Sequence, residues 1–261
     1  MNLFVEHFRE LWRYRVLVES LVWREVKARY RGSFLGFFWT LLNPLFTLVV
    51  YRIIFTKVMR LDVPNYAVFF FVGFLAWLWL ATTLTNATIS ILQGGSLITR
   101  VCMPPQVLPM VQVLSNLVNF LLALPIALAA ASCYQLYPSP ALLALPVVIA
   151  IQLVFLYGTA LLLATYTVSF RDIQFLVQNL MQPFFLATPI AYPISAAEGV
   201  YGVLIRLNPA TSLIVPYQQI LHERVFPSPE FLGIGALWAA AVLFLGVRAF
   251  ELRRNAVVEE I

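Results

Sequence analysis

Six long apolar stretches, at 34–56, 68–92, 106–131, 142–170, 173–194 and 231–249, alternate with short polar connections along this chain. The only charged side chains inside them, Arg52 and Arg248, lie near an end. A helix needs roughly 20 apolar residues to cross a hydrocarbon core of about 30 Å. The apolar character is continuous rather than alternating, which excludes an outer-membrane barrel. The pattern predicts an all-α polytopic membrane protein with six transmembrane helices.

Residues 1–33 form the one long hydrophilic segment. Phe4, Phe8, Leu11 and Trp12 recur at helical spacing, as do Leu17, Val18, Leu21 and Val22. Arg24, Lys27 and Arg31 make a basic face, and Glu25 precedes Arg29 by four, the favourable order for a helix ion pair. One or two amphipathic helices lying in the membrane interface are predicted. No short apolar core with a small-residue cleavage site marks a secretory signal, so the first span is expected to stay as an anchor. The chain thus divides into an interface segment, 1–33, and a six-helix domain, 34–261.

Two connections carry further pattern. In "QGGSLITRVCMPPQ", residues 93–106, Gly94 and Gly95 end one helix, Ser96 is placed to cap a short new one, and Pro104-Pro105 stops it. Segments 197–207 and 212–224 have helical patterning but are too short to cross. Between them "NPATS" offers Asn208 or Thr211 as a cap and Pro209 just inside a helix start. With Pro183, Pro189 and Pro193 upstream, these two helices are expected to dip into the outer leaflet or lie on it.

Composition adds class and orientation. The chain has 261 residues, 61% hydrophobic and 11% charged, whereas soluble domains carry about 25% charged residues. Twelve of the seventeen Lys and Arg residues fall on the side that holds both termini and four on the other, which predicts cytoplasmic termini. Cys102 and Cys133 then face opposite sides, so no intrachain disulfide is expected.

The chemistry is sparse. None of the twelve acidic residues lies inside an apolar stretch, which counts against a proton- or sodium-coupled transporter. No G-x-x-x-x-G-K-S/T run is present, and His7 and His222 are the only histidines. Catalysis, a resident cofactor and a metal site are therefore not expected, nor is a nucleic-acid partner. Uncharged polar stripes remain. Thr82, Thr85, Asn86 and Ser90 share a face of the second span, and Gln112, Ser115, Asn116 and Asn119 share one of the third. Gln174, Gln178 and Gln182 align on the fifth, with Asn179 beside them. Two uses are open to them: helix–helix packing, or a lining that offers neutral donors and acceptors to a hydroxyl-rich solute. Trp39, Trp77, Trp79 and Phe184 are suited to stack on sugar rings or to fill belt and core. Arg52 either snorkels outward or lines an exit.

"REVKARYRGSFLGFFWTLLNPL", residues 24–45, resembles the start of the membrane subunits of type-2 bacterial ABC transporters that export O-antigen, capsule and teichoic acid polysaccharides. The matching positions are Tyr30, Ser33, Leu35, Gly36, Trp39 and Asn43-Pro44. Further matches are "FRDI" at 170–173, "TPIAYPIS" at 188–195 and "LNPATSLI" at 207–214, and the likeness runs the length of the chain. The resemblance implies two copies pairing into a twelve-span channel in the bacterial cytoplasmic membrane, above two cytoplasmic ATPase subunits that bind ATP and Mg. It implies that the interface helix and the short helix with Ser96, Leu97 and Arg100 receive the ATPase stroke, with Arg171 and Asp172 nearby. The helices within 197–224 would form the external gate region. The implied cargo is a long glycan on a lipid carrier, often through a pyrophosphate. Arg24, Lys27, Arg29 and Arg31 would then pair with its phosphate oxygens, although ATPase docking and anionic-lipid anchoring compete for these residues. On the lining reading of the polar stripes, the residues expected to line the channel are Trp39, Asn43, Arg52, Thr82, Asn86, Gln112, Asn116, Asn119, Gln178 and Gln182. Rival readings are an ABC exporter of a small lipid or drug, an ATP-independent transporter or channel, and a membrane-embedded enzyme.

Overall fold

A computed structural model describes residues 2–31, 39–54, 63–101 and 103–260. The amphipathic N-terminal pattern resolves into two helices, α1 (Asn2–Arg13) and α2 (Arg15–Tyr30), with a break at Tyr14. Val18, Leu21, Val22 and Val26 form the buried stripe of α2, spaced as one face of a 3.6-residue helix requires. Trp12, Val16 and Trp23 point outward.

The helices that follow are α3 (Trp39–Arg52) and α4 (Tyr66–Thr88), then the short α5 (Ser90–Gln93) and α6 (Gly95–Val101). Next come α7 (Val107–Cys133), a 3-10 turn at Pro140–Ala144 that runs into α8 (Leu145–Ser169), and α9 (Ile173–Leu186). The chain closes with α10 (Gly199–Leu207), α11 (Pro209–Gln218) and α12 (Pro229–Glu259). No strand occurs among the described residues. Among the described residues, four helices are long and apolar enough to cross a membrane: Tyr66–Thr88, Val107–Cys133, Pro140–Ser169 and Pro229–Val257. The first expected span, 34–56, lies partly outside the described residues, and its helix α3 covers 14 residues. The fifth, expected to reach 194, stops as a helix at Leu186. Pro189 and Pro193 remove backbone donors, and the residue before a proline is driven out of the α region. At 1.5 Å per residue the 14 residues of α9 rise only about 21 Å.

Helix α4 is the centre of the bundle, buried along most of its length and touched by α3, α7, α8, α9 and α11. The most intimate crossing joins α8 to α12, where the backbone of Gly158 meets that of Val242, Leu243 and Gly246. Small residues of this kind let two helix backbones approach in an apolar setting.

Helix α11 is the second of the two short helices expected before the last span. Every residue from Ala210 to Gln218 is buried, against α4, α8 and α12, so this helix is a core element rather than a cap on the surface. Its start follows the pattern read above. The Asn208 side chain accepts from the Ala210 N–H at 2.9 Å with Pro209 at the first helical position. The same side chain donates to the Ala187 carbonyl at 3.1 Å. Gln218 Nε2 donates to the Pro189 carbonyl at 3.2 Å, which ties the far end of α11 to the segment after α9. Replacing Asn208 with Ala removes a cap and a tertiary hydrogen bond. A loss of about 1–2 kcal/mol is expected, read as a lower melting temperature of the detergent-solubilised protein.

Candidate functional site

Both ends of the chain meet at one end of the bundle. His7 of α1 donates from Nδ1 to Glu251 of α12 at 2.9 Å, and the Tyr157 hydroxyl of α8 donates to its Nε2 at 2.7 Å. This tautomer follows from the partners, since an ionised carboxylate only accepts. Burial pushes the His7 imidazole below its ordinary value, opposed by the Glu251 carboxylate, so the ring is held neutral. One turn along α1, Glu10 accepts from Arg254 at 2.6 Å and from the amide of Gln106 at 2.7 Å. Gln106 is fully buried and sits between α6 and α7. Nothing in the local sequence marked this cluster, because its members stand up to 244 residues apart.

Elsewhere, α2, α4 and α7 line an open polar cavity of about 420 Å³, with Arg29 exposed on its wall. Its walls are Glu25, Ala28 and Arg29 from α2, Asn86 from α4, Ile89 and Gln93 beyond α4, and Gln112 from α7. Arg29 Nη1 donates to Asn116 Oδ1 at 2.8 Å, and Asn116 Nδ2 donates to the Gln112 carbonyl at 2.9 Å. The guanidinium is thus carried across to α7 instead of turning back to Glu25. One basic-face neighbour and three residues of the expected lining, Asn86, Gln112 and Asn116, therefore converge on one site. The Gln112 Oε1 atom is buried without a hydrogen-bond partner among the described residues.

A profile of the ABC-2 type transporter family matches residues 16–221. The chain belongs to that family. It is similar to the O-antigen export system permease protein RfbA of Myxococcus xanthus, at 43% identity over 255 residues, 97% of this chain and 98% of that one. It is also similar to RfbA of Klebsiella pneumoniae, at 28% over 229 residues, covering 87% and 88% of the two chains. The polysialic acid transport protein KpsM of Escherichia coli matches at 20% over 252 residues, covering 94% and 96%.

The remaining expected residues of this ABC-2 membrane protein scatter. Arg24, Lys27 and Arg31 are exposed. Thr82 returns its hydroxyl to the Leu78 carbonyl of its own helix, as Thr85 does to Ala81, and Ser90 reaches back to Ala87 at the end of α4. Asn119 is buried on α7, while Gln178 and Gln182 are exposed on α9 and Arg52 is exposed at the end of α3. The side chains of Trp39, Asn43 and Arg100 lie outside the described residues, as does Cys102. Ser96 is exposed and Leu97 half-buried on α6. That helix begins at Gly95, so Ser96 stands within its first turn instead of capping it. Gly94 packs closely on Leu108, whose methyl groups would have to shift to admit a Cβ there. Arg171 and Asp172 occupy the exposed turn between α8 and α9. Trp79 is core, stacked on Phe120 and donating to the Val113 carbonyl. Trp77 is likewise buried, edge-on to Phe184 and Phe185. His222 hydrogen-bonds the Pro64 carbonyl at 2.7 Å, a structural tie.

Proposed function

We propose that this chain is the channel-forming subunit of an ATP-driven exporter that moves lipid-linked polysaccharide across the bacterial cytoplasmic membrane. It works as a homodimer above two ATPase subunits that bind ATP and Mg. The observation that carries this reading is the 43% identity, over nearly the full length of both chains, to a protein named as an O-antigen export permease. KpsM, named for polysialic acid transport, extends it to a second polymer.

The uncovered helix faces favour pairing. α9 leaves Leu176 and Leu180 exposed next to Gln178 and Gln182, and α3 leaves Phe46, Val49 and Val50 exposed. Amide groups facing lipid cost several kcal/mol apiece when unpaired, and a second copy with a wet passage between the two removes that cost. The end that holds both termini faces the cytoplasm, as the Lys and Arg asymmetry requires. There α6, with Ser96, Leu97 and Arg100, and the turn at Arg171 and Asp172 meet the ATPases. The interface segment, 1–33, presents Arg24, Lys27 and Arg31 to the carrier phosphates ahead of the transmembrane domain, 34–261.

Deletion of the gene is expected to strand polymer inside the cell, and an unchanged surface glycan overturns the reading. A narrower measurement tests the basic face. Each cation near an anionic surface is worth about 1 kcal/mol, so changing Arg24, Lys27 and Arg31 together to Gln weakens carrier capture by about two orders of magnitude. The triple variant should insert normally and export poorly. Full export at ordinary expression would remove these residues from the mechanism.

A further inference from the structure

The cavity between α2, α4 and α7 is chemically unlike the basic face beside it, and this difference identifies its occupant. Arg24, Lys27 and Arg31 lie about two-fifths of a turn round α2 from Glu25 and Arg29 and carry one sign of charge only. The cavity wall instead opposes the Glu25 carboxylate to the Arg29 guanidinium and fills the space between with the amides of Asn86, Gln93 and Gln112. Asn116 consumes both ends of its own amide, on Arg29 and on the Gln112 carbonyl, and so fixes the guanidinium in place.

These groups reject ions. A phosphate brought inside would set its oxygens against the Glu25 carboxylate, which only accepts. A cation would meet Arg29. An apolar chain would strip water from the Glu25, Arg29 and amide groups of the wall without replacing its hydrogen bonds, at the desolvation cost of those groups. A neutral polyol fits all of them, because each hydroxyl donates and accepts at once. It donates to Glu25 and to the side-chain carbonyls of Asn86 and Gln93, and accepts from Arg29 and the amide N–H groups. The volume of about 420 Å³ lies in the range of small-ligand sites, about 300–1,000 Å³.

We propose that this cavity is a sugar-binding subsite, which takes a ring of the exported glycan while the carrier phosphates remain outside on Arg24, Lys27 and Arg31. The inference rests on the export reading given above. It divides recognition of the cargo into a neutral part, read inside the cavity, and an anionic part, held on the neighbouring face of the same helix.

The test uses the detergent-solubilised complex with its ATPase subunits and two probes. One is a polyprenyl pyrophosphate that carries no sugar. The other is the surface polysaccharide of the same cells, freed of lipid and phosphate by mild acid. Gln112→Leu is expected to weaken binding of the phosphate-free glycan tenfold or more and to leave pyrophosphate binding within twofold. Gln93→Ala, at an exposed position, should act in the same direction without a burden on folding. Arg24→Gln with Lys27→Gln should give the reverse pattern. Glu25→Gln decides between occupants: pyrophosphate binding that tightens severalfold would put the phosphate inside the cavity and overturn the proposal. Glycan binding that ignores both Gln112→Leu and Gln93→Ala overturns it as well, as does a complex that binds pyrophosphate and no glycan. Failure of the unaltered complex to bind either probe would instead bring down the export reading.

Discussion

Gly158→Leu is expected to abolish the α8–α12 crossing and, with it, most of the folded protein. A Cβ at Gly158 would lie 2.5 Å from the Leu243 nitrogen and 2.6 Å from its Cα. These are backbone atoms with no rotamer to escape into, so the helices must separate along their length. Overpacking of side chains alone costs about 1–3 kcal/mol, and a backbone collision exceeds that range. Gly246→Val should act likewise, since its Cβ would collide with the Gly158 carbonyl. Gly233 on the same helix has open space at its Cβ position, and Gly233→Ala should be neutral or mildly stabilising through helix propensity. Melting temperature and the monodisperse fraction on size exclusion check all three. An unchanged melting temperature for Gly158→Leu would refute the close crossing, because no rearrangement short of helix separation accommodates the side chain.

The contrast among these glycines shows what a single sequence can convey here. All three sit in apolar helical runs, and only the partner backbone distinguishes them. The same limit applies to α11. Its short, proline-led pattern read equally well as a helix on the membrane surface or in the outer leaflet, because lipid and protein interior are both apolar and favour the same residues. What was legible was local. The Asn208 cap with Pro209, the two amphipathic helices before the first span, and the short helix beyond Gly94 all follow from propensity and spacing within a few residues. Overextension of the fifth helix came from counting apolar residues where Pro189 had already ended the hydrogen-bond ladder.

The polar stripes divide for a physical reason as well. Thr82, Thr85 and Ser90 have short side chains whose hydroxyls reach back to carbonyls three or four residues earlier, so a shared face of hydroxyls needs no partner. The amides of Asn86, Gln112 and Asn116 are longer and project into the space between helices. They share in the cavity wall or in the hydrogen bonds that brace it. Residue type, more than position on the helix, separated packing from candidate function. The pairing of Arg29 with Asn116 spans 87 positions, and no spacing rule reaches that far.

Glu10→Leu is expected to detach the N-terminal helix from the rest of the bundle. Glu10 accepts from both Arg254 and Gln106, and the two partners respond differently to its loss. Arg254 keeps more than a third of its side chain exposed, so water takes over much of that ion pair and the term is small. Gln106 is fully buried, and a stranded amide there costs about 1–3 kcal/mol. The total is about 2 kcal/mol, carried mainly by the neutral partner. Cleavage of α1 by added protease and a lowered melting temperature measure it. Glu10→Gln, which retains an acceptor for Gln106, should recover most of the loss, and equal damage from both variants would show that the ion pair dominates after all. His7 gives the same junction a pH dependence of fixed sign. Its folded-state value is depressed by burial in spite of Glu251, so the unfolded chain binds the proton more tightly. The stability from the neutral ring is therefore present above the ordinary imidazole value of about 6.5 and is lost as pH falls through the lower folded value. Detachment of α1 should accordingly increase on acidification below that point in the native protein. In His7→Gln, whose side chain does not titrate there, the same acid step should have less effect, and identical profiles for the two proteins would assign the pH dependence to other groups.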